Sequence, residues 1–141
     1  MIAEKVIVDT GPLVALLVPE DFNHQKCADC VREIHCPMLT SWAVLTEAAW
    51  LLRSKDDGLR ALLRLLIGGT VVCGKLDDDA ASWIAGVAAK YADLSPQLAD
   101  LTLLYLAERE QTRSILTLDR RDFTVFRSTD GQPFHLLPDA Q

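Results

Sequence analysis

The sequence predicts an α/β protein with three layers, in which helices cover both faces of a central, mostly parallel sheet. One observation carries this prediction. Short runs rich in β-branched residues alternate with longer segments of helical periodicity, a pattern typical of parallel strands joined by helices. The chain has 141 residues, of which 50% are hydrophobic and 24% are charged, the proportions of one well-packed soluble domain. We therefore expect a single domain over residues 1–141.

Turn and cap residues set the bounds of the first elements. A run of β-branched residues ends at Asp9, which predicts a first strand ending there. Thr10-Gly11-Pro12 follows and supplies an N-cap and an early proline for a helix that continues from Leu13 to Val18. The next elements are a helix over residues 23–34, a strand over residues 37–40, and a helix from Trp42 to about Ser54 with Ser41 as its cap.

Acidic residues and glycines bound the later elements. Asp56-Asp57 opens a fourth helix that Gly68-Gly69 closes, because acids favour helix starts and glycine favours positions just past helix ends. Two more helices are predicted: one that opens at residues 77–79 and reaches Tyr91, and one that starts at Ser95-Pro96 and continues to about Glu110. The remaining predicted strands cover residues 70–73 and 114–118, with an edge strand over 134–137 after the Asp130-Gly131 turn.

Charge and cysteine content narrow the function classes. The net charge of −6 gives no overall positive field, so a polyanionic ligand would need local arginines or bound cations. The N-terminus lacks the features of an export signal, and no apolar run reaches membrane-spanning length, so we expect a cytoplasmic protein without membrane contact. In that compartment the four cysteines are expected to be thiols.

Two predicted strands are followed by a carboxylate. Asp9 follows the first strand, and Asp119 comes directly after Leu118. In open parallel sheets, ligands bind beyond the carboxyl ends of the strands, where the strand order reverses. Taken singly, each aspartate is also explained as an ordinary turn or cap residue.

Two further acids lie on apolar helical faces. Glu47 shares a helical stripe with Val44, Ala48 and Leu51, and Asp100 shares one with Leu103, Leu104 and Ala107. With Pro96 as the first helical residue, Asp100 lies beyond the first turn, where capping would not explain it. The alternative for each is a partly exposed acid paired with Arg or Lys.

Together these four acids indicate a metal centre. Four converging carboxylates would repel one another and destabilise the fold unless a cation neutralised them. Oxygen ligands that leave room for water and phosphate suit Mg²⁺ or Mn²⁺. The chemistry that this predicts is metal-assisted hydrolysis of a phosphodiester.

Four ordered segments carry a family resemblance: Val8–Leu13, Thr46-Glu47, Asp93–Asp100 and Leu116–Phe123. They resemble the successive acidic motifs of PIN-domain nucleases, and the chain length is similar to that of the toxin subunits of VapBC-type toxin-antitoxin pairs. The resemblance implies a PIN-like fold and a Mg²⁺-dependent endoribonuclease that cleaves RNA. It also implies a small antitoxin protein as partner.

The resemblance also assigns roles to individual residues. It implies that the catalytic, metal-binding acids are Asp9, Glu47, Asp100 and Asp119, supported by the hydroxyls of Thr10 and Thr117. Many family members carry a further acid where this chain has Gln97. We expect Asp122 to compensate in part from the loop after Asp119.

Basic and aromatic residues complete the sequence predictions. Arg120 and Arg121 directly follow Asp119, and we expect them to contact substrate phosphates. For Arg53, Lys55, Arg60 and Arg64, phosphate contact and an ordinary solvated surface stay equally open. The tryptophans are expected in the core or at an interface, and together with the high apolar content they favour a homodimer. The alternative function is a catalytically silent PIN-like module that binds RNA or protein.

Overall fold

The computed structural model describes residues 4–139, so residues 1–3 and 140–141 of the predicted domain lie outside the described residues. The strands of the described chain are β1 (Ile7–Val8), β2 (Met38–Thr40), β3 (Val71–Cys73), β4 (Ser114–Leu116) and β5 (His135–Leu137). Its α-helices are α1 (Thr10–Leu17), α2 (His24–Arg32), α3 (Trp42–Leu51), α4 (Gly58–Ile67), α5 (Ala80–Lys90), α6 (Leu98–Glu110) and α7 (Arg120–Phe123). A short 3-10 helix, Ala92–Leu94, lies between α5 and α6.

All five strands form one parallel sheet in the order β3-β2-β1-β4-β5. Helices flank this sheet in a three-layer α/β/α arrangement, so the predicted fold class is confirmed, as is β5 as an edge strand. The chain runs outward from β1 through β2 to β3 and then returns to the other side of β1 as β4. The strand order therefore reverses between β1 and β4, where such sheets form a binding crevice.

The hydrophobic core lies around β1, β4 and α6. The side chains of Val6, Ile7 and Val8 are fully buried, and every residue of α6 from Leu101 to Ala107 is buried. Helix α6 packs on β1, β2, α3 and α5, which explains why it is apolar nearly all round. Within residues 4–139, no helix has the length and apolar character needed to cross a membrane.

Two helix starts differ from the sequence prediction. Helix α1 is capped by Asp9, whose side chain accepts the N–H of Thr10, so Thr10 is the first helical residue. Helix α6 begins at Leu98 instead of Pro96, because Ser95 adopts a left-handed φ of 47° and Gln97 is an extended N-cap. Asp100 therefore lies in the first turn of α6, and its predicted place beyond that turn is wrong.

Other bounds and environments also differ. Helix α2 ends at Arg32 and α3 ends at Leu51, both earlier than predicted. The segment after Asp119 forms α7, so Asp122 lies on a helix and not in a loop. Trp42 and Trp50 are 61% and 63% exposed, so neither belongs to the core.

Candidate metal and active site

Asp9 is fixed at the carboxyl end of β1. Its backbone N–H donates to the Leu116 carbonyl at 2.9 Å, which joins the end of β1 to β4. Its Oδ1 accepts the Thr10 N–H, and its Oδ2 accepts the Thr117 hydroxyl, both at 2.8 Å. The residue is only 7% exposed. Asp9 therefore caps α1 and still presents a buried, oriented carboxylate to the crevice between β1 and β4.

Thr117 links Asp9 to the acids that follow β4. Its fully buried hydroxyl donates to Asp9 and accepts the Asp119 N–H at 3.0 Å. Asp119 in turn caps α7, because its Oδ1 accepts the Asp122 N–H at 3.4 Å. One threonine thus sets the spacing between the carboxylates at the ends of the two central strands.

Three carboxylates form the tightest acidic cluster within residues 4–139. One oxygen from each of Asp100, Asp119 and Asp122 lies within 4.8 Å of the others. Asp100 comes from the first turn of α6, and Asp122 comes from α7. The structure therefore brings Asp122 into the cluster beside two of the four predicted acids.

Glu47 reaches the same centre from α3. It is half-buried, and its charge acts on both Asp9 and Asp100. All four predicted acids therefore share one electrostatic environment.

Burial and repulsion oppose the ionisation of two of these acids. Loss of solvent raises the pKa of Asp9, and the charges of Glu47 and Asp119 raise it further against its two hydrogen bonds. Desolvation raises the pKa of Asp100 to about 7, with added repulsion from Asp9, Asp119, Glu47 and Asp122. A cation in the crevice would relieve both effects.

The donor set fits a hard divalent cation. Its side chains offer carboxylate oxygens, and Mg²⁺ and Mn²⁺ prefer oxygen ligands. The buried Thr10 hydroxyl, beside Asp9 in sequence, has no hydrogen-bond partner among the described residues. An unpaired buried hydroxyl is unfavourable, and a bound water or ion ligand would satisfy it. The residues present therefore fit such an ion.

The predicted arginines have different environments. Arg120 is half-buried, and its Nη2 is buried without a hydrogen-bond partner within residues 4–139. Arg121 is exposed. Both begin α7 beside Asp119, so two positive charges adjoin the acidic cluster.

Three of the four basic residues in the turn after α3 and on α4 are used in ion pairs. Lys55 pairs with Glu20 at 2.9 Å, whereas Arg60 and Arg64 both pair with Asp57 at 2.7 Å. Arg53 instead lies over the Trp50 ring. These ion pairs favour the solvated-surface alternative for Lys55, Arg60 and Arg64.

Sequence reasoning missed two buried hydroxyls beside the site. The Thr40 hydroxyl donates to the Val8 carbonyl at 2.9 Å, next to Asp9. The Thr102 hydroxyl donates to the Ala99 carbonyl at 2.6 Å and lies 2.7 Å from the Ser41 hydroxyl, which caps α3. A threonine inside the apolar stretch of α6 was the available signal for Thr102.

Comparison with known proteins identifies relatives along nearly the whole chain. Ribonuclease VapC26 of Mycobacterium tuberculosis is 32% identical over 138 residues, covering 94% of this chain and 100% of the relative. No protein-family model matches the chain.

Two solved structures share the fold. The Mycobacterium tuberculosis VapC20 structure, a Sarcin-Ricin loop cleaving toxin, aligns with a TM-score of 0.71 and 18% identity over 78% of this chain and 86% of that one. VapBC2 from Rickettsia felis, bound to a DNA fragment from their promoter, aligns with a TM-score of 0.63 and 9% identity over 94% of this chain and 98% of that one. At these identities the likeness shows a common fold.

Proposed function

This chain belongs to the VapC family of PIN-domain ribonucleases, and on that premise we propose that it cleaves RNA as the toxin of a toxin-antitoxin pair. The observation that carries the proposal is a group of five carboxylates where the strand order reverses: one oxygen from each of Asp100, Asp119 and Asp122 lies within 4.8 Å of the others, and Asp9 and Glu47 act on Asp100 electrostatically. They come from the ends of β1 and β4 and from α3, α6 and α7. Without a cation, the mutual repulsion of these acids would only destabilise the fold. Their grouping therefore favours a role in holding a catalytic cation.

In this proposal Asp9, Glu47, Asp100 and Asp119 hold Mg²⁺ or Mn²⁺. When bound, the ion would lower the pKa of a coordinated water and offset the negative charge of the phosphodiester. The Thr117 hydrogen bond orients the Asp9 carboxylate and favours its charged form. Asp122 supplies a fifth carboxylate beside Asp100 and Asp119. This position supports the proposal that Asp122 compensates for the acid that many family members carry where this chain has Gln97.

The two arginines at the start of α7 are proposed to bind the RNA backbone. Arg120 is half-buried beside the acids and forms no ion pair within residues 4–139, and Arg121 is exposed next to it. A guanidinium can donate two parallel hydrogen bonds to one phosphate, which suits it to hold the strand beside the acids.

The partner proposed for this chain is a small antitoxin protein, and the chain itself is proposed to form a homodimer. The solved VapBC2 structure of the same fold supports the antitoxin. Large apolar side chains are exposed on several elements, which supports protein contacts: Phe22, Leu59, Ile67 and Leu98.

The direct test is RNA cleavage by the purified protein with Mg²⁺, Mn²⁺ or a chelator. Asp9→Asn removes the buried carboxylate charge while keeping an oxygen acceptor, so we expect cleavage to fall about 100-fold or more with the fold intact. Asp78→Asn, the same change at an exposed aspartate, is the control and should leave cleavage unchanged.

Two outcomes would overturn the proposal. Equal cleavage by the wild-type and Asp9→Asn proteins would remove Asp9 from the mechanism. Metal-independent RNA binding with no cleavage by the wild-type protein would instead assign the chain to the silent RNA-binding alternative.

A further inference from the structure

Trp50 is an exposed indole within one helical turn of Glu47. Both residues lie on α3, and residues three apart on a helix have Cβ atoms about 5–6 Å apart. Glu47 faces the acidic centre, whereas Trp50 is 63% exposed. A large aromatic surface therefore borders the catalytic crevice without being packed in the core.

Arg53 holds a positive charge against this indole. Its guanidinium carbon lies 3.8 Å from the Trp50 ring centroid, and its Nη1 donates to the Trp50 carbonyl at 2.8 Å. Lys55, Arg60 and Arg64 on the following segment have acidic partners. Arg53 forms no ion pair with an acid within residues 4–139, so its charge is available to a ligand.

We propose that Trp50, backed by Arg53, stacks on a base of single-stranded RNA next to the scissile phosphate. This inference rests on the function proposed above and adds a binding subsite to it. Stacking on aromatic side chains is a general means of binding unpaired bases, and arginine contributes a cation–π term. The ring face turned away from Arg53 is the surface offered to the base.

Two features favour RNA over a protein partner at this position. An RNA strand bound at Glu47 would have Trp50 within one helical turn, because residues three apart on α3 are neighbours on its surface. Arg53, which has no ion pair with an acid within residues 4–139, also adds a positive charge against the Trp50 ring, where a phosphate backbone would meet it. A tryptophan in a protein interface requires neither a position beside Glu47 nor an adjacent positive charge.

The binding test uses a single-stranded RNA oligonucleotide and proteins carrying Asp9→Asn, which prevents cleavage during the measurement. Trp50→Ala should weaken binding about 5- to 150-fold, the equivalent of one lost stacking contact. Trp50→Tyr, which keeps an aromatic face, should retain most of the affinity. The matched control is Trp42→Ala, since Trp42 is 61% exposed on the same helix but lies about 140° round its axis from Glu47.

Two further measurements separate binding from folding and catalysis. In the active protein, Trp50→Ala should raise KM by a similar factor and change kcat little, because the acids stay in place. In a variant with Trp42→Phe and Trp83→Phe, RNA should quench the fluorescence of the remaining Trp50. Thermal melting of each variant should stay close to that of its parent.

The outcomes divide clearly. Equal losses in Trp50→Ala and Trp42→Ala would overturn the inference, as would unquenched Trp50 fluorescence with RNA bound. Unchanged RNA binding with an altered sedimentation coefficient for Trp50→Ala would also overturn it and assign Trp50 to a protein interface. If the wild-type protein neither bound nor cleaved RNA, the proposed function would fail and this inference with it. An active wild-type protein whose KM for RNA is unchanged by Trp50→Ala would contradict the subsite alone.

Discussion

Asp9 and Asp100 illustrate two ways of placing a carboxylate in one acidic centre. Asp9 is the more deeply buried, yet a backbone N–H and a threonine hydroxyl both favour its charged form. Asp100 has no comparable donors among the described hydrogen bonds, and desolvation and four acidic neighbours raise its pKa to about 7. Asp100 is therefore the residue whose charge most depends on a bound cation.

Stability without metal should depend on pH through Asp100. A pKa raised from 3.8 to about 7 means that the native state binds a proton more tightly than the unfolded chain does. The unfolding free energy should therefore fall as pH rises from about 4 to about 7. We expect the metal-free protein to melt a few degrees higher at pH 5 than at pH 8. The check is thermal melting in chelator.

Asp100→Asn is the control for that pH dependence. The amide cannot ionise, so the difference between pH 5 and pH 8 should shrink, with the raised pKa of Asp9 leaving a remainder of the same sign. A variant that melts with the full wild-type dependence would show that other groups cause it.

Arg120 and Arg121 should control the salt dependence of RNA binding. Each lost phosphate contact lowers the slope of log affinity against log salt by about 0.9 for duplexes and about 0.7 for single strands. Replacing both with Ala in an Asp9→Asn background should weaken binding and flatten this slope, which a titration across a salt series measures. Arg60→Ala with Arg64→Ala removes the same charge from arginines already paired with Asp57 and should change the slope less. If the double variant at Arg120 and Arg121 had the same salt slope as its Asp9→Asn parent, these two arginines would not contact the RNA.

At the scale of elements, α3 and α6 must be held together for Glu47 and Asp100 to share one site. Their contact contains a buried chain of hydroxyl groups. Thr102 donates to the Ala99 carbonyl, Ser41 lies 2.7 Å from Thr102, and Ser41 accepts the Val44 N–H. The cap of α3 is therefore tied to Thr102, two residues from Asp100, and through Thr102 to Ala99 in the first turn of α6.

Thr102→Val should test this connection. The substitution keeps the shape but removes the hydroxyl that partners Ser41, leaving a buried polar group unsatisfied. We expect a loss of about 1–3 kcal/mol in unfolding free energy, measured by denaturant titration. Thr46→Val removes an exposed hydroxyl that bonds the Trp42 carbonyl and should cost little by comparison. Similar losses of unfolding free energy in both variants would mean that the buried Ser41–Thr102 contact stabilises the fold no more than an exposed hydroxyl does.

At the scale of the whole molecule, the acidic centre exists only in the folded chain. Its acids are separated by up to 113 positions, from residue 9 to residue 122, and five different elements position them. Bringing these like charges together lowers the stability of the folded chain. A cation that binds them in the native state therefore stabilises the entire domain.

Mg²⁺ or Mn²⁺ should raise the melting temperature of the wild-type protein. At an ion concentration 100 times the dissociation constant, the gain in unfolding free energy is about 2.7 kcal/mol. A quadruple variant with Asn or Gln at positions 9, 47, 100 and 119 should lose this response and melt higher than the wild type in chelator, because the repulsion is gone. An equal metal-induced shift in both proteins would locate the ion elsewhere.

The sequence by itself determined the parallel sheet, the place of most elements, and the four acids of the proposed centre. Each of these depends on local pattern: strand runs end at Asp9 and near Asp119, and helical periodicity turns Glu47 and Asp100 toward apolar faces. The roles of these residues stay predictions, but the structure places all four in one electrostatic environment.

Only the tertiary structure decided what lies against each face. It brought Asp122 beside Asp100 and Asp119, buried the Nη2 of Arg120 without a hydrogen-bond partner among residues 4–139, and left Trp50 exposed. It also started α6 at Leu98, because the left-handed Ser95 delays the helix past Pro96. Periodicity states which side of an element is apolar, whereas burial and pKa depend on elements distant in sequence that pack against that side.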